Sequence, residues 1–440
     1  MTATAATRRY ALLSFLTWLP VGLYLAPMVL LMLERGLSIA TVAAVGAAYS
    51  VTVTVLELPT GGLADVLGRR PVLVASALAS AAGLLLLGLA DGLALFLASA
   101  VLRGVARALS TGPAEAWYVD TLHGIAGRDV DLTPGLARGE VAASVALAAG
   151  TLAGGLLPLA LAPGALPLPA LAVPVLLAAA VEVARVAVTL RLPEPPHRRA
   201  GLAKVLRNVR TTVTGGLRLA ATDAVLARVL LAAGGAGVAL AAIELLTPAW
   251  LGELTGTGEA GALAYAVVAA LGFAADAAGG ALGPAAVRRC GTPARAAALG
   301  TIVAAAALGA LAGSATMRGP AAVVLAGLAY CLLFVGLGAA GPAQGRLLHE
   351  RTHARARATV VSVQSLVLQL AAALGGVTLG WLAARRGFAP AFGVGAALLL
   401  ASAALFWRLR ADRPVVAPPE HTALSTSEEG SGPDTGRGGP

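Results

Sequence analysis

The chain has 440 residues, 58% of them apolar and only 12% charged, against roughly 45–50% apolar and 25% charged in an ordinary soluble domain. A soluble fold could not hide that much apolar surface, and the apolar residues fall in runs near or above the roughly 20 needed to cross a hydrocarbon core. The formal charge of +10, from 32 Lys and Arg against 22 Asp and Glu, is distributed loop by loop without interleaved aromatics, which excludes a nucleic-acid surface as its meaning.

Period-two alternation is absent, so the spans are helical, because helices and closed barrels alone satisfy the backbone in lipid. The runs predict helices at about 10–33, 39–62, 71–90, 93–118, 140–161, 168–192, 225–250, 260–282, 293–314, 319–345, 358–384 and 388–408. The first, Tyr10 to Leu33 behind Arg8-Arg9, exceeds the roughly 7–15 residues of a signal-peptide core and lacks a clean small-residue cleavage site, so it reads as a retained span. Between the sixth and seventh lies RLPEPPHRRAGLAKVLRNVRTTVTGGLRLAATDAV, a proline-started basic stretch predicted to lie along the cytoplasmic surface. After Arg413 the tail, rich in Pro, Ser, Glu and Gly, cannot bury enough to fold. The expected division is a six-helix bundle at 1–192, a connector at 193–224, a second six-helix bundle at 225–410 and a cytoplasmic tail at 411–440.

With the N-terminus cytoplasmic, one side receives Arg69-Arg70, the segment from Arg191 through Arg218, Arg288-Arg289 with Arg295, and Arg346 through Arg357. The other side receives Arg35, Arg318 and the pair Arg385-Arg386, that last pair being the misfit. The excess of arginine on one side places both termini in the cytoplasm of a multi-pass inner-membrane protein. Trp117, Trp250, Trp381 and Trp407 fall near predicted helix ends, where interfacial anchors belong. The two cysteines, Cys290 and Cys331, cannot make a disulfide framework.

The two halves echo each other. ELPTGGLADVLGRRP at 57–71 has a degraded counterpart in ADAAGGALGPAAVRRCGTP at 275–293, and Gly154-Gly155 recurs as Gly375-Gly376. Weak repeats of this kind mark transporters built from two parallel six-helix bundles with a site near the midplane between them. The segment Gly61-Gly62-Leu63-Ala64-Asp65-Val66-Leu67-Gly68-Arg69-Arg70 resembles the loop signature between the second and third helices of the major facilitator superfamily, with Val66 in place of a basic residue. Arg103 stands in the fourth helix where that family often has an arginine, and RGVARALSTGPAEAWYVD is similar to the fourth helix of a bacterial permease branch. Gly150-Thr151-Leu152-Ala153-Gly154-Gly155 is similar to the end of the fifth-helix signature of drug:proton antiporters, with Thr151 in place of proline. LPEPP at 192–196 and RATVVSVQSL at 357–366 resemble segments of the same branch, so the likeness covers most of 57–376. It implies the major facilitator fold: all-α, twelve transmembrane helices in two pseudo-symmetric six-helix bundles. It also implies a monomeric secondary transporter with no cofactor, exporting a hydrophobic or amphipathic small molecule in exchange for protons by alternating access. A latch between Asp120 and Arg69, beside Asp65, follows from the same likeness. A proton-coupled importer of a small nutrient has the same architecture, and nothing in the sequence fixes the direction.

A charge at the bilayer centre costs about 2.5–3.5 kcal/mol even on the gentler insertion scale, so each one is a functional candidate. Arg103, Arg107, Thr111 and Glu115 are spaced by four and are predicted to share one ridge of the fourth helix, facing the bundle interior. Arg103 and Glu115 can serve either a cavity or a structural ion pair. Glu57 reads as a snorkelling or latch residue near the inner interface, and Glu182 with Arg185, at i and i+3, as a pair. Glu244 has no cation close in sequence and can be a proton-titrating or cation-binding carboxylate. Asp276 reads as the second half's mirror of the latch. Gln344, Gln364 and Gln369 offer uncharged hydrogen bonds to the cavity or to neighbouring helices. The substrate and proton-coupling set is therefore Arg103, Arg107, Glu115, Glu244 and Gln344.

Two further motifs read as coincidence. His349-Glu350-Arg351-Thr352-His353 matches H-E-x-x-H, leaving an intramembrane metalloprotease as a remote alternative, but it lies among arginines and lacks a third ligand. Gly336-Leu337-Gly338-Ala339-Ala340-Gly341 matches a dinucleotide fingerprint inside an apolar helix with no strand before it, so its glycines are expected to allow close helix packing. No G-x-x-x-x-G-K-[ST] sequence is present and Lys204 is the single lysine, which argues against ATP hydrolysis by this chain.

Overall fold

The computed structural model describes residues 1–61, 63–110, 112–161, 167–194, 221–352 and 354–407, with 214, 215, 218 and 409. Among these, all regular structure is helical: α1 (Ala3–Leu25), α2 (Pro27–Glu34), α3 (Ile39–Gly61), α4 (Leu63–Leu67), α5 (Arg69–Leu89), α6 (Leu93–Ser110), α7 (Pro113–Ala126), α8 (Thr133–Ala160), α9 (Ala172–Leu190), α10 (Ala224–Thr255), α11 (Gly258–Cys290), α12 (Pro293–Ser314), α13 (Pro320–Glu350), α14 (Ala354–Arg386) and α15 (Phe388–Trp407). Eleven stretches are long and apolar enough to cross a bilayer unaided, and α1 with α2, bent by 42°, makes the twelfth. The bend falls at Pro27, which has no N–H to give the preceding turn. In span order these are α1–α2, α3, α5, α6–α7, α8 and α9 in the first half, then α10 to α15 in the second. Nearly all of the expected connector, and the tail, lie outside the described residues.

The fourth span is not one ridge. Ser110 closes α6, Gly112 adopts φ 91° and Pro113 is the first residue of α7. A positive φ is cheap only for glycine, and a proline at a helix start loses no bond, so Gly112-Pro113 restarts the helix in a new direction. Glu115 therefore sits in the first turn of α7, exposed, rather than two turns along the ridge of Arg107; Thr111 lies outside the described residues.

Packing follows a six-span repeat. In the first half, span 1 packs on 5 and 6, span 3 on 4 and 6, and span 2 on 4; in the second, span 7 packs on 11 and 12, span 9 on 10 and 12, and span 8 on 10. The contacts between halves obey the same rule, span 2 on 11 and span 5 on 8. Small residues permit the close approaches, since lipid supplies no hydrophobic drive between helices and packing must come from near contact. A Cβ on Gly150 would lie 2.6 Å from the carbonyl oxygen of Leu19, and one on Gly154 would strike that of Leu23. Both glycines thus seat span 5 on span 1, while a Cβ on Gly155 would lie 2.7 Å from the carbonyl oxygen of Ala262, in the other half. The apparent echo Gly375-Gly376 is looser: Gly375 faces Val238 at 2.9 Å, and Gly376 meets only Ala241 Cβ at 3.7 Å. Gly336 and Gly338 do hold helix against helix, toward Gly300 of span 9 and Asp276 of span 8.

The core is unequal at its two ends. On the face opposite the N-terminus, the distal face, one buried cluster joins both halves, with Leu30, Met32 and Val42 packed in the same cluster as Leu246, Trp250 and Tyr265. On the terminal face the clusters are separate among the described residues. Tyr10, Leu73, Trp117 and Tyr118 form one within the first half, and Leu226, Leu348, Val363 and Phe406 form another within the second. Trp117 and Trp250, expected as interfacial anchors, are buried parts of these clusters, whereas Trp381 and Trp407 stand on the outer surface. Trp117 is drawn inward because its indole N–H donates to the Pro193 carbonyl at 2.8 Å, a partner the sequence distance hides.

Gly154→Ala is expected to destabilise the protein by about 1–3 kcal/mol, the range for overpacking, and Gly376→Ala to leave it unchanged. Thermal melting in detergent checks the contrast; equal melting of both variants would remove the close span 1–span 5 approach from the account.

Candidate functional site

Between the halves, on the terminal side of the shared core, lie two adjoining cavity lobes of about 280 Å³ each. The polar lobe runs into the first half past Thr17, Ser76, Ser80, Arg107, Glu182 and Arg185. The apolar lobe is walled by Leu25, Val29, Met32, Val42, Leu240 and Leu368. Both are lined by Val21, Tyr24, Tyr49, Arg103, Glu244 and Gln369, so a belt of aromatic and charged side chains separates a wet compartment from a greasy one.

Arg103, on α6, is only 7% exposed. Its Nε donates to Ser99 Oγ at 3.3 Å, a long contact, and its Nη1 to Met28 Sδ at 3.1 Å, a weak acceptor. The guanidinium carbon lies 5.3 Å from the ring centre of Tyr24 and 5.7 Å from that of Tyr49, within the range of cation–π attraction. No carboxylate among the described residues pairs with it, and its Nη2 has no protein partner there. Arg107, one turn on, places its guanidinium 5.2 Å from the Trp18 ring and lines the polar lobe. Glu244 enters the cavity from α10 in the opposite half, its side chain exposed to that space and without an ion pair or hydrogen bond among the described residues.

Arg185 offers a contrast within the same lobe. Its Nε donates to Glu182 Oε2 at 2.6 Å, its Nη1 to Thr17 Oγ1 and Nη2 to Ser76 Oγ, each at 3.4 Å. Ser80 completes the set by donating to Glu182 Oε1 at 2.9 Å. Charge and lone pairs are matched, as a buried pair requires to hold, so this network reads as the wall of the first half.

The expected set is thus divided. Arg103, Arg107 and Glu244 come together at the cavity; Glu115 and Gln344 do not line it, and Gln369 does. Tyr24, Tyr49 and Trp18 were not anticipated, because aromatics in apolar runs look like core; the signal was that two of them carry a hydroxyl at mid-span.

On the terminal face, Gly68 at φ 99° turns the chain into α5. The first two N–H groups of that helix, Arg69 and Arg70, donate to Glu194 Oε1 and Oε2 at 2.8 and 2.9 Å, a carboxylate held at a positive helix end. Arg69 Nε lies 3.3 Å from Asp120 Oδ2. Glu194 was missed in the sequence; an acid between prolines directly after the sixth span was the available clue. Gly62 and the side chain of Asp65 lie outside the described residues, and Gly61 is the last residue of α3. Farther in, Ser365 Oγ donates across the halves to both Glu57 oxygens, at 3.0 and 3.2 Å. In the H-E-x-x-H stretch, Glu350 accepts from Arg346 Nε at 2.6 Å on the surface, and His353 lies outside the described residues.

The fold is found among solved transporters. The nucleoside transporter NupG superposes with a TM-score of 0.74 at 15% identity, over 92% of this chain and 100% of that one. A bacterial homolog of the human lysosomal transporter Spinster, inward-facing and unoccupied, gives 0.68 at 17%, over 92% and 95%. The xylose transporter XylE from E. coli, partially occluded and inward-open, gives 0.64 at 12%, over 92% and 97%. No curated protein sequence matches the chain. The sequence itself matches the Major Facilitator Superfamily profile over residues 10–376, which takes in the loop before α5, the cavity belt and the contacts between halves: the chain belongs to the Major Facilitator Superfamily.

Proposed function

We propose that the protein is a proton-coupled secondary transporter that exports an amphipathic small molecule by alternating access. The observation that carries this is the placement of Arg103 and Glu244, from opposite halves, on a cavity whose walls, among the described residues, share an apolar core at the distal end alone. An amphipathic molecule suits a cavity with one polar and one apolar lobe. Rocking about the contacts of span 2 with 11 and span 5 with 8 exchanges which end is sealed, the motion expected of paired bundles around a fixed site. With the arginine-rich terminal face in the cytoplasm, the cavity loads from inside. Glu244 is the exchanging carboxylate: it lies at membrane depth with no cation partner among the described residues, where carboxylates serve proton relays. The arrangement at Arg69, Asp120 and Glu194 stiffens the terminal end of the first half so that it moves as one body.

Everted vesicles carrying the protein should lose an imposed proton gradient when substrate is added, and Glu244→Gln should abolish that loss while permitting downhill substrate exchange. An unchanged gradient response in Glu244→Gln would remove it as the coupling group, and protons moving with the substrate instead of against it would make the machinery an importer.

Glu194→Ala and Arg69→Ala are expected to insert normally and to slow turnover about tenfold, since each hydrogen bond to a charged group contributes about 1.5–3 kcal/mol. Transport at the native rate in both would discard a role for the loop.

A further inference from the structure

Within the cavity, the charges do not cancel locally. Glu182 and Arg185 satisfy each other. Arg107 stacks on Trp18 at the polar end. Arg103 and Glu244 remain, one from each half, in both lobes at once, and neither is ion-paired to the other or to any described residue. When the halves close and water leaves, a neutral ligand would leave Arg103, and Glu244 whenever it has given up its proton, unmatched in a dry space, at a cost far above that of burying a matched pair. A purely anionic ligand would satisfy Arg103 and face the Glu244 carboxylate; a purely cationic one would do the reverse.

Resting on the reading of this cavity as the transport site, we propose that the cargo is a zwitterion with an apolar body: a carboxylate held by Arg103 between Tyr24 and Tyr49, and an ammonium held by Glu244. The chemistry at each end fits. The two tyrosine rings flank the guanidinium while Nε and Nη1 are bound to Ser99 and Met28, leaving Nη2 for a carboxylate oxygen; a guanidinium presents its donors in a fixed plane suited to that group. Glu244 is acceptor-only when ionised and takes an ammonium directly. The hydrocarbon lies in the apolar lobe against Met32, Leu240 and Leu368. Because the two anchoring charges belong to different halves, a ligand that carries both draws the halves together, and one that carries a single charge does not. This differential affinity for the closed form is what a ligand needs to shift the population. The ammonium also displaces the exchangeable proton at Glu244, so loading of cargo and release of the proton become one event.

The test is binding to the full-length protein in detergent, with no gradient, by thermal shift and calorimetry. The probes are ω-amino acids from 4-aminobutanoic to 12-aminododecanoic acid, each with its methyl ester and its N-acetyl derivative. In the wild type, at the chain length that spans the belt, the zwitterion should bind about tenfold or more tighter than either capped form, a tenfold change in Kd being 1.4 kcal/mol. Arg103→Gln should erase the difference between acid and ester and keep that between amine and acetamide; Glu244→Gln should do the converse. Equal binding of acid and ester at every length, binding of no zwitterion, or an undiminished preference for the acid in Arg103→Gln would overturn the assignment. Should Arg103→Gln fail to fold, Arg103→Lys keeps the charge without the planar fork and should retain a weakened preference, and the comparison of capped and free probes in the wild type decides on its own. Acid-over-ester discrimination without substrate-driven proton movement in vesicles would uphold the zwitterion site and sink proton coupling. Proton movement driven by compounds bound without that discrimination would do the opposite.

Discussion

Among the described residues, apolar burial ties the two halves together at one end only, and the cavity lies beside that shared core. Near the distal face, side chains from spans 1 and 2 share a core with side chains from spans 7 and 8; toward the terminal face each half closes its own cluster. In lipid there is no water to expel from between helices, so adhesion depends on close packing of small residues. Gly155 against Ala262, Gly252 against Leu30 and Gly380 against Ala43 supply that proximity between halves. Where such contacts stop, polar side chains take over the facing surfaces, and a wet space between spans becomes tolerable.

The charged residues inside the membrane divide according to how they are compensated. Arg185 has a carboxylate and two hydroxyls from its own half, so removing any ligand changes nothing around it. Arg103 has a thioether, one hydroxyl and two ring faces but no carboxylate, the ring faces contributing about 0.5–2 kcal/mol each, against a desolvation penalty of several kcal/mol for a buried ion.

Much of the architecture was legible in the sequence because lipid simplifies it: long apolar runs must be helices, and twelve of them were countable. The errors came where a local signal was overridden by counting. Gly112-Pro113 is a helix-stop followed by a helix-start, yet the four-residue spacing from Arg103 to Glu115 invited a single ridge, and Glu115 was carried with it. The doubled glycines Gly154-Gly155 and Gly375-Gly376 look equivalent in sequence, but only the first pair meets backbone of two neighbouring spans. Glu194 and Trp117 could not be placed by spacing, because what fixes them is the return of residues 193 and 194 to the loop before α5. The pairing of Arg103 with Tyr24 and Tyr49 likewise crosses three spans, and no periodicity within one helix encodes it.

The terminal-face contacts bear on what kind of gate the molecule has. Arg69, Asp120 and Glu194 all belong to the first half, and the contacts seen among them join parts of that half. Among the described residues, the hydrogen bonds that do cross the halves at this level run from Ser365 to Glu57, on the pair of spans that stay packed, 2 and 11. A hydroxyl–carboxylate contact at that position survives a change of angle between helices more readily than a packed apolar seam, since oxygen lone pairs accept over a broad range of directions. Glu57 and Ser365 thus supply a polar contact on one of the two pairs of spans packed between the halves.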